Sequence, residues 1–181
     1  MLTIKVPPGE FYKESTGAFI QLPEQTLQME HSLISISKWE SKWHKPFFDG
    51  KDKTRAETLD YYKCMTITQN VNPLTWSNLS RENEEEIMKY IQDPMTGTTF
   101  NERGKHGGGH RQNISSEVLY WQMIELGIPF ECERWHINRL FTLIKVCQIK
   151  QNGEKKMSRK DMLSQNRALN AARRGRLGSM G

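Results

Sequence analysis

Residues 127–150, GIPFECERWHINRLFTLIKVCQIK, constrain the fold more than any other stretch, because they hold the longest strongly apolar helical run in the chain. Gly127 follows the apolar run VLYWQMIEL, and a glycine there suits the left-handed residue that ends a helix. Pro129 blocks continuation, so a second helix is predicted to start near Glu131. Glu131 and Glu133 would then sit in its first turn, where the helix dipole favours negative charge. Ile137, Leu140, Phe141, Ile144 and Cys147 recur at helical spacing, and Leu143 and Val146 widen the stripe. Such a helix is covered on most sides. Each of these side chains contributes about 1.5–3 kcal/mol when buried, which makes this the main hydrophobic element.

The rest of the chain supplies what packs against that rod. Residues 1–30 read as strands: Leu2, Ile4 and Val6 alternate with polar residues, and Pro7-Pro8-Gly9 breaks the run. Phe11-Tyr12 and residues 18–22 flank a turn at 14–17, which predicts a hairpin, with a third or fourth strand over 26–30. Ser32 caps a predicted helix to Trp43 with Leu33, Ile36, Trp39 and Trp43 on one face. The alternation through Ile34 and Ile36 also allows a strand to persist to Ser37. Thr54 caps a helix with Leu59, Tyr62 and Met65 inward, and a helical turn is expected around Trp76. Ser80 caps a helix with Ile87, Met88 and Ile91 inward. Ser115 or Ser116 caps one with Val118, Leu119, Met123 and Ile124 inward. The resulting fold class is α+β: a small N-terminal antiparallel β meander or hairpin (residues 1–30) on a mainly α-helical core (31–153), in one compact domain. A basic C-terminal helical tail (154–181) completes the chain.

Charge is concentrated in that tail. The chain carries a formal +5, yet residues 154–181 hold eight Lys/Arg against Glu154 and Asp161, so the remaining 153 residues sum to −1. Arg159, Lys160, Arg167, Arg173 and Arg174 lie along a potential helix and can follow phosphates or an acidic protein surface, but the tail has no aromatic residue for base stacking. No apolar run approaches the roughly 20 residues that span a bilayer. The first ten residues lack the apolar core of a signal peptide. The three cysteines have no paired spacing, which fits a reducing compartment better than a disulfide framework.

Sites of chemistry are sparse. Cys132 and His136 have the i, i+4 spacing of two metal ligands on one helix, but no further Cys/His pair completes a set of four, and a buried pair is the simpler reading. His106 and His110 flank three glycines in a loop with nothing to hold them in place. Lys105 is followed by no Ser/Thr and has no upstream glycine at Walker spacing, which excludes a P-loop. No G-x-S-x-G, H-E-x-x-H or D-x-D pattern appears. No catalytic residue, metal or cofactor is therefore assigned. The aromatic residues are the better lead. Trp39, Trp43 and Trp121 are candidate partner-binding residues wherever the fold leaves them exposed beside polar groups, and the tail's Arg159, Lys160, Arg167, Arg173 and Arg174 are the charged candidates.

The blocks QTLQMEHSLISISKWESKWHKPF, LDYYKCMT, PMTGTTF, IPFECERWHINRLFTLIKVC and KKMSRKDMLSQNRALNAARR span almost the whole chain. Together they resemble a family of small tailed-bacteriophage proteins similar to tail assembly chaperones. The resemblance implies a non-enzymatic protein of the host cytoplasm. Its implied work is to bind the tape-measure protein and keep it soluble until tail-tube subunits polymerise around it. It brings no catalytic motif to carry over. The alternative from the residues is a virion structural or nucleic-acid-binding protein that uses the basic tail. Nine methionines, able to repack, suit a surface that adapts to an apolar partner.

Overall fold

The computed structural model describes residues 1–15, 17–100 and 114–154, with residues 163, 167 and 170. The chain divides into a unit of Met1–Lys145 and a second of Val146–Gly181. In the first, an N-terminal antiparallel sheet packs on a mainly helical body, whose last helix runs on past Lys145. The candidate tail residues Arg159, Lys160, Arg173 and Arg174 lie outside the described residues, and Arg167 is helical and exposed.

The N-terminal strands nest. β1 (Leu2–Val6) pairs with β4 (Gln25–Met29), and β2 (Gly9–Lys13) pairs with β3 (Ala18–Leu22), both antiparallel. Leu2 faces Met29 and Lys13 faces Ala18, and the register between those two ends never slips. The two ladders are thus one long hairpin, interrupted where Pro7 and Pro8 lie opposite Glu24 and Pro23. Proline has no N–H to give a ladder. Side chains from the helical body fill the gap: the Asn78 amide donates to the Pro7 carbonyl (2.6 Å) and the Asn83 amide to the Lys5 carbonyl (3.0 Å). A Cβ at Gly9 would stand 2.6 Å from the Asn78 amide oxygen, so a larger residue there must displace that side chain from its bond to Pro7. Alternation sends Ile4, Val6, Leu27 and Met29 into the core and leaves Tyr12 and Phe19 paired on the outer face, ring centroids 5.2 Å apart.

Local caps fix three of the helices. α1 (Leu33–Trp43) starts with a reciprocal Ser32/Ser35 box, α2 (Arg55–Met65) with Thr54/Glu57, and α3 (Arg81–Gln92) with Ser80/Asn83. The Ser32 box excludes the strand that the Ile34/Ile36 alternation allowed. His44, left-handed at φ 51°, ends α1. A 3-10 turn, Pro73–Ser77, buries Trp76. α4 (Ser116–Glu125) ends in Gly127 at φ +65°, with the Ile128 N–H returning to the Met123 carbonyl (2.8 Å). No helix among the described residues is long and apolar enough to cross a membrane.

The inward faces differ from the sequence expectation in phase. α2 presents Tyr61 as well as Tyr62 and Met65, and Leu59 is only half-buried. α3 buries Asn83, Ile87 and Tyr90, while Met88 is exposed and Ile91 half-buried. α4 buries Leu119 and Met123, with Val118 half-buried and Ile124 exposed. In each case a buried polar residue bonded to a neighbouring element sets the rotation. Asn83 reaches β1, and the Glu57 carbonyl and Asp60 carboxylate take the indole N–H groups of Trp39 and Trp43 (2.9 and 3.0 Å). Ser115 holds the N-cap position of α4 as expected, but its side chain does not do the capping. Ser115 makes no side-chain cap bond; the buried carboxylate of Glu40 in α1 accepts from the Ser116 N–H (2.7 Å) and from the Phe47 N–H (2.6 Å).

The apolar rod begins later than its sequence implied. Phe130–Arg134 is a 3-10 turn, Trp135 is extended, and α5 (Ile137–Glu154) starts only after His136 bridges back to Ser32. The Ile137 N–H donates to the His31 carbonyl at 2.7 Å, a tertiary bond that fixes the helix start. Glu131 and Glu133 therefore do not sit in its first turn. Ile137, Leu140 and Ile144 are buried as expected, and Phe141 is half-buried against Phe48.

Candidate protein-interaction surface

α4 turns two apolar faces in opposite directions. At 100° per residue, Leu119 and Met123 share the side that meets the core. Glu117, Trp121, Ile124 and Glu125 fall on the other, with the half-buried Tyr120 at the edge between the two. Gly127 and Pro129 then reverse the chain, and the 3-10 turn after them brings the Phe130 ring to 6.4 Å from the Tyr120 ring. The Tyr120 hydroxyl donates to Glu133 (2.9 Å), which ties that turn to α4; burial and this carboxylate both hold the phenol well above its usual range. Trp121 and Ile124, one turn apart on the outer side of α4, stay 58% and 64% exposed, and Phe130, set against Tyr120, stays 54% exposed. Three large apolar side chains together on a surface mark an interaction site more than scattered single ones do. Tryptophan at the centre is the residue type that most often anchors an interface.

The other tryptophans are placed differently. Trp39 is fully buried and offers no surface, so its candidacy as a partner-binding residue is corrected. Trp43 is half-buried, stacked on Trp39 at 6.1 Å. Lys45 and Lys53 lie over these rings and Phe47, and Lys45 pairs with Glu57. This aromatic–cation cluster joins α1, α2 and the loop between them. Of the three tryptophans singled out in the sequence, Trp121 alone has most of its ring in solvent. Ile124 and Phe130 were missed as surface residues. The available signal was the i, i+3 spacing of Trp121 and Ile124 opposite the Leu119/Met123 pair.

A second polar cluster lies in the core. His31 and His136 are 3% and 6% exposed, their rings 5.0 Å apart edge to face. His31 Nδ1 bonds the Tyr61 hydroxyl, which also lies 3.3 Å from Ser35 Oγ. His136 donates from Nε2 to the Tyr90 carbonyl (3.0 Å) and accepts at Nδ1 from the Asn138 N–H (3.3 Å), the pattern of a neutral imidazole. Burial and the neighbouring His136 push His31 down to about 3, and burial lowers His136 as well. Tyr61 is raised by burial, and Tyr90 by burial and its bond to Glu30. These bonds tie the end of the hairpin to α1, α2, α3 and α5, so the cluster reads as an internal strut. The sequence pairing of Cys132 with His136 on one helix does not form, because Cys132 lies in the 3-10 turn before α5. Among the described residues no three His, Cys, Asp or Glu groups gather to hold a metal, and all three cysteines are free thiols.

Comparison with protein-family models, curated proteins and solved structures finds no match to this chain.

Proposed function

We propose that the chain is a non-enzymatic tailed-bacteriophage assembly protein, a tail assembly chaperone that binds the tape-measure protein in the host cytoplasm. The observation that supports the reading is the exposure of Trp121, Ile124 and Phe130 on and beside α4. The five sequence blocks that resemble the phage family supply the identity of the partner. A long helical client exposes apolar stripes until tube subunits enclose it, and a chaperone with an apolar helical face covers one such stripe. The basic residues Arg159, Lys160, Arg167, Arg173 and Arg174 favour a second reading, a virion structural or nucleic-acid-binding role through residues 154–181.

Co-expression with the tape-measure protein of the same genome separates the two. The chaperone reading expects the client to stay soluble and to co-purify, and expects Trp121→Ala to release it. A client that stays insoluble with an empty pull-down, while salt-sensitive DNA retention disappears on deleting residues 154–181, overturns it.

A further inference from the structure

The exposed face of α4 is bounded by acids. Glu117, Trp121 and Glu125 succeed one another at i, i+4 and i+8, so the two carboxylates flank the indole along a single stripe of about 12 Å, with Ile124 beside it. Glu131 comes directly after Phe130. All three acids are exposed, and none forms an ion pair with another described residue. Glu117 is held ionised below the usual carboxylate range by its bond to Ser115 and by the helix N-terminal backbone. In sequence, Arg111 lies six residues before Glu117 and Arg134 three residues after Glu131, at the far end of the 3-10 turn. A hollow of about 300 Å3 opens beside Glu117, walled by Glu40, His44, Lys45, Pro46 and Ser115. Its lysine is already paired with Glu57, and the Glu40 carboxylate already takes two backbone N–H groups.

From this juxtaposition we infer that the segment docking on α4 is a basic amphipathic helix: apolar side chains at i and i+3 or i+4 laid over Trp121 and Ile124, flanked by Lys or Arg facing Glu117, Glu125 and Glu131. A helix is the fitting shape because the face is itself a helical ridge whose apolar groups repeat at three residues, and ridges of this kind seat in the grooves of another helix. The charge sets which helices are accepted, since a like-charged segment would lay its carboxylates on three that form no ion pair among the described residues. The inference rests on the reading that this face docks a protein. It adds the chemistry of what docks.

The test uses the full chain and two synthetic helices of about 20 residues with identical Leu and Ile positions, one flanked by Lys and one by Glu. Fluorescence anisotropy reports binding to wild type, Trp121→Ala and the triple reversal Glu117→Lys, Glu125→Lys, Glu131→Lys. The Lys helix is expected to bind about tenfold or more tighter than the Glu helix at about 50 mM salt, with the gap closing several-fold at about 300 mM. The triple reversal inverts the preference, and Trp121→Ala weakens binding of both helices. Should the triple variant not fold by circular dichroism, Glu125→Lys alone is expected to narrow the preference. Equal binding of both helices by wild type overturns the charge inference while leaving the docking face in place. Binding that Trp121→Ala leaves untouched overturns the docking face itself. A wild-type dimer in sedimentation that Trp121→Ala dissolves overturns the inference in favour of a second copy as occupant.

Discussion

Two buried residues make the fold's stability depend on conditions and on single atoms. His31 titrates near 6.5 when unfolded and is pushed down to about 3 when folded, so the native state refuses a proton that the unfolded chain accepts. Stability from this group is complete above pH 6.5 and is lost as pH falls toward 3. Between pH 7 and pH 5 the loss is on the order of 2 kcal/mol, in chemical unfolding followed at both values. His136 is shifted the same way and adds to it. His31→Gln, which cannot titrate, is expected to flatten that slope while lowering stability at pH 7 through the altered Tyr61 bond. An equal slope in both proteins would remove His31 from the account. Glu40 is the second such residue. Its two oxygens serve two backbone N–H groups from different segments, so Glu40→Gln turns one acceptor into a donor facing a donor. The expected loss is about 1–3 kcal/mol. A midpoint unchanged from wild type would mean that solvent replaces the carboxylate at no cost.

At the scale of elements, what could be read from sequence was what local chemistry decides. Ser32, Thr54 and Ser80 each cap a helix with the residue three positions on, and all three starts are visible in a four-residue window. Helix rotation was not visible in this way. α3 and α4 carry apolar residues on two sides, and which side meets the core depends on Asn83 reaching β1 or on Glu40 reaching α4 from far away in the chain. The onset of α5 failed for the same reason: a bond from Ile137 to the His31 carbonyl sets it, and nothing near Glu131 encodes that. The continuous register of the hairpin escaped too, because the prolines mark the break without showing that pairing resumes in phase. Burial now separates two neighbours that sequence treated alike. Leu140→Ala should cost about 2–5 kcal/mol, and Phe141→Ala, half-buried, clearly less. Denaturant midpoints for the pair decide it; a larger loss at Phe141 would contradict the packing. Gly9→Val should likewise destabilise, since its side chain meets the Asn78 amide that bridges the proline break.

At the largest scale, the core of the described residues lies within the unit Met1–Lys145. The hairpin, α1, α2, α3 and the start of α5 share it, and the two histidines brace their meeting point. α4 contributes one face to that core and turns the other outward with Trp121, Ile124 and Phe130. Of the candidate surface, Trp121 was legible, as an aromatic beside polar residues. Its two apolar companions were not, because their exposure is a property of how α4 is docked. Hydrogen–deuterium exchange of the chain alone and with the Lys-flanked helix added is the sharpest test of this division. Binding is expected to slow exchange across residues 114–134 and to leave the hairpin tip at residues 9–22 unchanged. Slowing confined to the hairpin tip or to residues 154–181, with residues 114–134 exchanging as in the free protein, would contradict it.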